Sequence, residues 1–178
     1  EKLEKAQALT EKKIRNNIEI VKTEQDILIA QSKLASNSLE DNEELSNKAI
    51  ELAKDLGVRN IQLAGYDVYY EEADAETKAL FKEGLRYATR KAASANVMLS
   101  IEIMDTEFIG TITRCMEYIE HVNSPWLQIY PDFGNLSQWT DAPETELEVG
   151  INHIVGIHLK DTKPGVFKCV PFGEGSVE

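Results

Sequence analysis

Glu102, Asp132 and His158 are the side chains whose settings in this sequence suggest chemistry. Glu102 lies inside the apolar run VMLSIEIMD (97–105), where an ionised carboxylate is costly unless a partner or ligand compensates it. Asp132 closes WLQIYPD (126–132), and His158 sits within HIVGIHLKD (153–161). A glutamate, an aspartate and a neutral imidazole make a mixed oxygen and nitrogen donor set suited to Mn²⁺, Mg²⁺, Co²⁺ or Zn²⁺. Each member alone has a plainer use. A strand-end Asp commonly caps a turn or helix, and a lone strand His is commonly a hydrogen-bonded core residue. The recurrence of all three near the ends of successive apolar runs points to a divalent metal site.

The elements that must position them follow from the pattern around them. Four apolar runs, the first being VRNIQLAGYD (58–67), begin at residues 58, 97, 126 and 153. Between them lie helical stretches at 75–94, amphipathic through Leu80, Leu85, Ala88 and Ala92, at 107–122 and at 144–152. Strands alternating with helices at this spacing predict βαβ units and a parallel sheet. Runs apolar nearly throughout fit strands covered on both faces. The pattern fits both a barrel and a doubly wound sheet. In an α/β barrel the C-terminal ends of the strands build the site.

Ahead of these units, residues 1–35 contain no Gly or Pro, and Ile14, Ile18, Val21 and Leu28 recur at helical spacing. One or two amphipathic helices are expected there, with a docking or coiled-coil role. The polar break ASNSLEDN (35–42) offers Ser36 and Ser38 as N-caps. A further helix runs to Leu56 and stops at Gly57, a natural C′ residue. The organisation expected is a helical lead over 1–40 and a strand–helix domain over 41–178.

Bulk properties bound the function. The chain has 178 residues, short of a full eight-unit barrel of roughly 250. Its net charge is −12, and residues 1–40 carry seven basic and seven acidic groups, so the remainder holds the whole excess. Such a surface repels phosphate backbones, so nucleic acid is excluded as a partner. No apolar run approaches the roughly 18 residues of a membrane span, and EKLEKAQALTEKK does not read as a secretory signal. Cys115 and Cys169 read as reduced thiols of a cytoplasmic protein. His121 and His153 read as surface residues or supports for a site. The segment GEG (173–175) could offer backbone N–H groups to a phosphate, on a weak motif. No P-loop, dinucleotide fingerprint, nucleophile elbow or Cys/His zinc motif is present.

Several longer motifs in order carry a resemblance: IQLAGYDVYYEE, IEIMDT, SPW before YPDFGNLSQW, GINHIVGIHLKDTKPGVF and VPFGEG. From about Lys48 to Glu178 the chain resembles the L-ribulose-5-phosphate 3-epimerases (L-xylulose-5-phosphate 3-epimerases) of the xylose-isomerase-like TIM-barrel superfamily. The resemblance implies one divalent metal ion held by Glu102, Asp132 and His158, with Glu102 also a catalytic acid/base. It implies inversion at C3 of a ketopentose 5-phosphate, with Asn135 and Lys160 as substrate contacts. It also implies a partial (β/α)8 barrel, four consecutive parallel βα units corresponding to strands four to seven.

In that family a second metal-binding Glu follows the GEG segment. Glu174 is not its counterpart, so the chain as given is expected to be an incomplete, weakly active or inactive enzyme. Open sheet edges and residues 1–35 are expected to favour homo-oligomers. The alternatives are a hexulose-6-phosphate isomerase of the same superfamily and a non-catalytic interaction remnant. An abasic-site endonuclease of the superfamily is opposed by the three histidines and the −12 charge.

Overall fold

A computed structural model describes residues 39–68 and 72–177. The helices expected over 1–35, and the caps Ser36 and Ser38, lie outside the described residues.

Helix α1 (Leu39–Leu56) ends as a Schellman turn. Gly57 adopts φ +72°, its N–H bonds the Lys54 carbonyl at 3.1 Å and the Val58 N–H bonds that of Ala53 at 2.8 Å. Strand β1 (Asn60–Ala64) follows, then α2 (Ala75–Ser94), whose bounds coincide with those expected from the sequence. The start of α2 is fixed by a capping box. The Asp74 carboxylate accepts from the N–H groups of Glu76 and Thr77, both at 2.8 Å, and the Thr77 hydroxyl accepts from the Asp74 N–H at 2.9 Å.

Strand β2 (Met98–Glu102) leads to α3 (Ile112–Val122). That helix begins five residues later than the expected 107. Thr111 is its N-cap, accepting from the Arg114 N–H at 3.2 Å. Residue 110 must be glycine for close approach, because a Cβ there would lie 2.8 Å from the Trp139 ring. Strand β3 (Leu127–Tyr130) is followed by the single turn α4 (Phe133–Leu136) and by α5 (Pro143–Gly150), which ends two residues before the expected 152.

The sheet settles the choice left open by the sequence. Its order is β1-β2-β3, all parallel and in sequence order. A fourth segment continues it along β3, in the expected place but not as a regular strand. It touches β3 at two parallel bridges, Ile129↔Ile154 and Asp132↔His158. Three steps along β3 face four steps along the new segment, so one residue is extra. A regular ladder would set Ile157 opposite Asp132; the bulge sets His158 there.

The long helices among the described residues pack on one face of this arc. Ile50 and Ala53 of α1, Leu85, Ala88 and Ala92 of α2, and Ile112, Cys115 and Ile119 of α3 form one cluster with Leu99, Ile101, Leu127 and Ile129 of the strands. Phe81, Phe108 and Tyr118 close its flank, with ring centroids 5.2 to 5.4 Å apart. Sequential parallel neighbours with helices on one side are the barrel arrangement rather than the doubly wound one. Period-two alternation sends the other strand residues to the inner face. There the register sets Gln62, Ser100 and Gln128 abreast in one layer and Ala64, Glu102 and Tyr130 abreast in the next.

Beyond the fourth segment the chain forms an antiparallel hairpin, β4 (Asp161–Lys163) and β5 (Val166–Val170), turning at Gly165. The sequence reading did not anticipate it, although Pro164-Gly165 is a turn signal between two short runs. Val155, Ile157 and Leu159 on the fourth segment remain 43%, 44% and 60% exposed, which leaves an apolar rim beside it.

Candidate metal centre

Glu102 is the last residue of β2. Its neighbours Ile101 and Ile103 face the helices and are fully buried, so alternation turns Glu102 inward. Asp132 lies two residues past the end of β3 and shares that inward parity with Tyr130. His158 reaches the same place through the bulge described above. The three expected residues therefore converge: one donor atom from each lies within 4.8 Å of the others. His158 Nδ1 is 2.7 Å from Glu102 Oε1 and 3.8 Å from Asp132 Oδ2.

The two carboxylates are 7% and 3% exposed, while the imidazole is half exposed. Burial raises the proton affinity of Glu102 above the usual carboxylate range. The hydrogen bond and charge of His158 act against that rise, the Asp132 charge adds to it, and a hydrogen bond from Gln62 also opposes it. Two buried acids facing each other are expensive unless something positive lies between them. A dication offsets their combined charge. Ligand distances of about 2.1 Å imply donor-to-donor edges of about 3 Å, and the observed 2.7 and 3.8 Å separations bracket that value. The donor set and its geometry fit a divalent ion.

Asp132 has two tasks at once. Its Oδ1 accepts from the Asn135 N–H at 2.9 Å and caps α4, while its Oδ2 faces the cluster. The plain explanation, a helix cap, is thus met, and the second oxygen is left facing His158. Lys160 and Asn135 stand beside it. The Lys160 ammonium is 3.3 Å from Asp132 Oδ2 and 2.5 Å from the Asn135 side-chain carbonyl. Asn135 is buried, and its amide donates to the Ile103 carbonyl at 2.8 Å. Lys160 is 30% exposed in its side chain and opens on the mouth of the site.

Other residues singled out by the sequence lie elsewhere or act otherwise. His153 sits one layer below, its Nδ1 3.0 Å from Gln128 Oε1. The GEG segment offers no free pair of donors. The N–H groups of Gly173 and Gly175 both donate to Asp161 Oδ2 at 2.9 Å, which displaces the phosphate reading. Burial pushes the Asp161 carboxyl up, but backbone N–H groups of Gly175, Val177, Gly173 and Thr162 more than reverse this and hold it below the usual range.

Three groups at the rim escaped the sequence reading. Asp105, just past β2, accepts from the Tyr66 hydroxyl through Oδ1, and the Lys168 ammonium on β5 lies 3.3 Å from its Oδ2. These contacts tie the hairpin across the strand ends. Asp105 lay in view at the end of the run carrying Glu102, but its partners come from 39 residues upstream and from the unanticipated hairpin.

Comparison with known proteins agrees with the strand–helix architecture. The family model described as "Xylose isomerase-like TIM barrel" matches residues 3–178, and so takes in the lead set apart above. An L-ribulose-5-phosphate 3-epimerase, UlaE, of Escherichia coli O157:H7 is 53% identical over 135 residues, covering 76% of this chain and 48% of the relative. The chain thus spans about half the length of the curated relatives it matches. Among solved structures, D-allulose 3-epimerase from Methylomonas sp. superposes with TM-score 0.68 at 16% identity, over 83% of this chain and 52% of the other. An L-ribulose 3-epimerase gives TM-score 0.67 at 18% identity, over 84% and 52%. At such identities these structures speak for the fold alone. With helices on one face of sequentially ordered parallel strands, and a family match over almost its whole length, the chain belongs to the xylose isomerase-like TIM barrel family.

Proposed function

We propose that this chain is part of a metal-dependent sugar-phosphate epimerase that interconverts L-ribulose 5-phosphate and L-xylulose 5-phosphate by proton transfer at C3. The observation that carries the reading is the convergence of Glu102, Asp132 and His158 at the ends of neighbouring strands. The E. coli relative's name supplies the substrate class. The setting proposed is the cytoplasm; no described helix is long and apolar enough to cross a membrane.

Glu102, Asp132 and His158 would hold one Mn²⁺, Zn²⁺, Mg²⁺ or Co²⁺. A divalent ion supplies Lewis-acid polarisation of a ketose carbonyl when bound. Glu102 would accept the C3 proton, as the inward-facing carboxylate at the end of β2. Lys160 presents its ammonium to substrate oxygens, and Asn135 aims it while staying anchored on Ile103.

Inversion needs a second acid/base on the opposite face of the enediolate. Among the described residues the cluster contains no further carboxylate. Lack of such a group costs about 10²–10⁴ in rate, so a site relying on these residues alone is expected to be slower by about that factor than one with both acid/base groups. Incubation with L-ribulose 5-phosphate and Mn²⁺ in D₂O, followed by NMR, should show slow loss of C3–H with little L-xylulose 5-phosphate. No exchange at saturating Mn²⁺ would refute the proposal for this chain. Faster turnover of a hexulose 6-phosphate in the same assay would favour the isomerase alternative. The exposed rim at Val155, Ile157 and Leu159 supports association into homo-oligomers.

A further inference from the structure

His158 is the least enclosed of the three donors. Its side chain is half exposed, whereas those of Glu102 and Asp132 are 9% and 4% exposed. An imidazole in that setting has two free torsions and needs something to hold it. Glu102 holds one side, at 2.7 Å from Nδ1. On another side lies the ring of Tyr130, edge to face, with centroids 5.6 Å apart and planes at 86°. Tyr130 is paired with Glu102 across the sheet, so its position is set by the ladder itself.

The ring of Tyr130 can take that position only because residue 156 has no side chain. A Cβ on Gly156 would stand 2.4 Å from Tyr130 Cε2 and 3.0 Å from its Cδ2 and Cζ. Such distances are well inside van der Waals contact, so the ring would have to swing away. Gly156 does not adopt the left-handed conformation, so its backbone would accept alanine. The glycine is required for the ring, not for the turn of the chain. It also lies within the bulge between Ile154 and His158 that sets the imidazole opposite Asp132.

We propose that Gly156 and Tyr130 form a positioning pair for His158: the missing Cβ seats the phenol ring, and the ring holds the imidazole with Nδ1 turned toward Glu102 and Asp132. The proposal rests on the reading of His158 as a metal donor. Neither residue is among the three converging donors. Partners that orient a metal-binding histidine typically contribute about 10–100-fold to affinity.

The test is a double-mutant cycle on the full chain, with Co²⁺ and Mn²⁺ affinity measured by absorption and calorimetry. Gly156→Ala is expected to weaken Co²⁺ binding at least about tenfold and to alter the visible Co²⁺ spectrum. Tyr130→Phe, which keeps the ring, should bind as the parent does. In a Tyr130→Ala background, Gly156→Ala should add nothing, because the clash has gone. An equal loss from Gly156→Ala in both backgrounds, or none in the parent, overturns the proposal.

If Gly156→Ala fails to fold, Tyr130→Ala against Tyr130→Phe decides, and equal affinities overturn it. A metal-free readout separates this inference from the metal reading. Long-range ¹H–¹⁵N NMR of His158 should show an Nδ1–H tautomer in the parent and its loss in Gly156→Ala. If the parent binds no ion while that signature still changes, the metal reading fails and the positioning pair stands. An unchanged signature overturns the pair.

Discussion

The helix-facing side of the sheet and the mouth at its C-terminal end are held together by different physics. On the first, Leu99, Ile101, Ile112, Leu127 and Ile129 are almost wholly buried in one continuous cluster with three helices. Nothing there depends on a single directed contact. At the mouth, order comes from named hydrogen bonds between segments far apart in sequence: His158 to Glu102, Lys160 to Asn135, and Asp161 to the loop at 173–177. Burial builds the first side and polar pairing the second. Damage to one should therefore leave the signature of the other intact.

The largest effect is expected at Glu102. Glu102→Gln should lower C3 exchange by about 10²–10⁴ without loss of fold, as judged by circular dichroism. Its effect on stability has a definite sign. A carboxyl whose proton affinity is raised on folding adds stability below its ordinary pKa, and that contribution is lost as the pH rises through the raised value. In urea titrations the metal-free parent should weaken over that range of rising pH, and the Gln variant should weaken less. A parent as pH-sensitive as the variant would show that burial of Glu102 carries no such cost.

The helix-facing side should answer in reverse. Ile129→Ala removes a fully buried side chain beneath α3 and α5, with an expected cost of about 2–5 kcal/mol by chemical denaturation. Mn²⁺ affinity per folded molecule should hardly change. A parallel loss of affinity would mean that the two sides are not separable.

The smallest effect on global stability is expected from Asp161→Asn. The depressed pKa of Asp161 means that its contribution exists above the ordinary carboxylate pKa and disappears as the pH falls through the lowered one. At neutral pH the variant should loosen the segment 173–177 alone, seen as faster amide exchange at Gly173, Gly175 and Val177. In the parent the same loosening should appear only on acidification.

The contrast also explains what could be read from the sequence. Helix α2 was legible to the residue because its apolar face (Leu80, Leu85, Ala88 and Ala92) is a local signal. The alternation of Ile101, Glu102 and Ile103 turned the acid inward and marked it as costly. Residues 107–111 were misjudged as helix because the tight seat of Gly110 depends on Trp139, which is distant in sequence. The bulge before His158 was hidden for the same reason, since it is set by the pairing of Ile154 and His158 with Ile129 and Asp132, which are distant in sequence. The hairpin was missed although Pro164-Gly165 announced a turn, because the strands beside it are three and five residues long. Asn135 and Lys160 were singled out by resemblance; their bond to one another depends on how the strand ends meet.

Asp132 shows how narrow the choice of residue can become where one carboxylate serves two masters. Asparagine would cap α4 as well but would bring no charge to the cluster. Glutamate would bring the charge but is a poor cap, and its extra methylene would carry the oxygens away from the Asn135 N–H. Alanine would do neither. Among the common side chains only aspartate meets both demands, so position 132 is closed to gradual substitution. Any path through sequence space that alters the charge of the cluster must leave this residue in place or rebuild the turn that follows it.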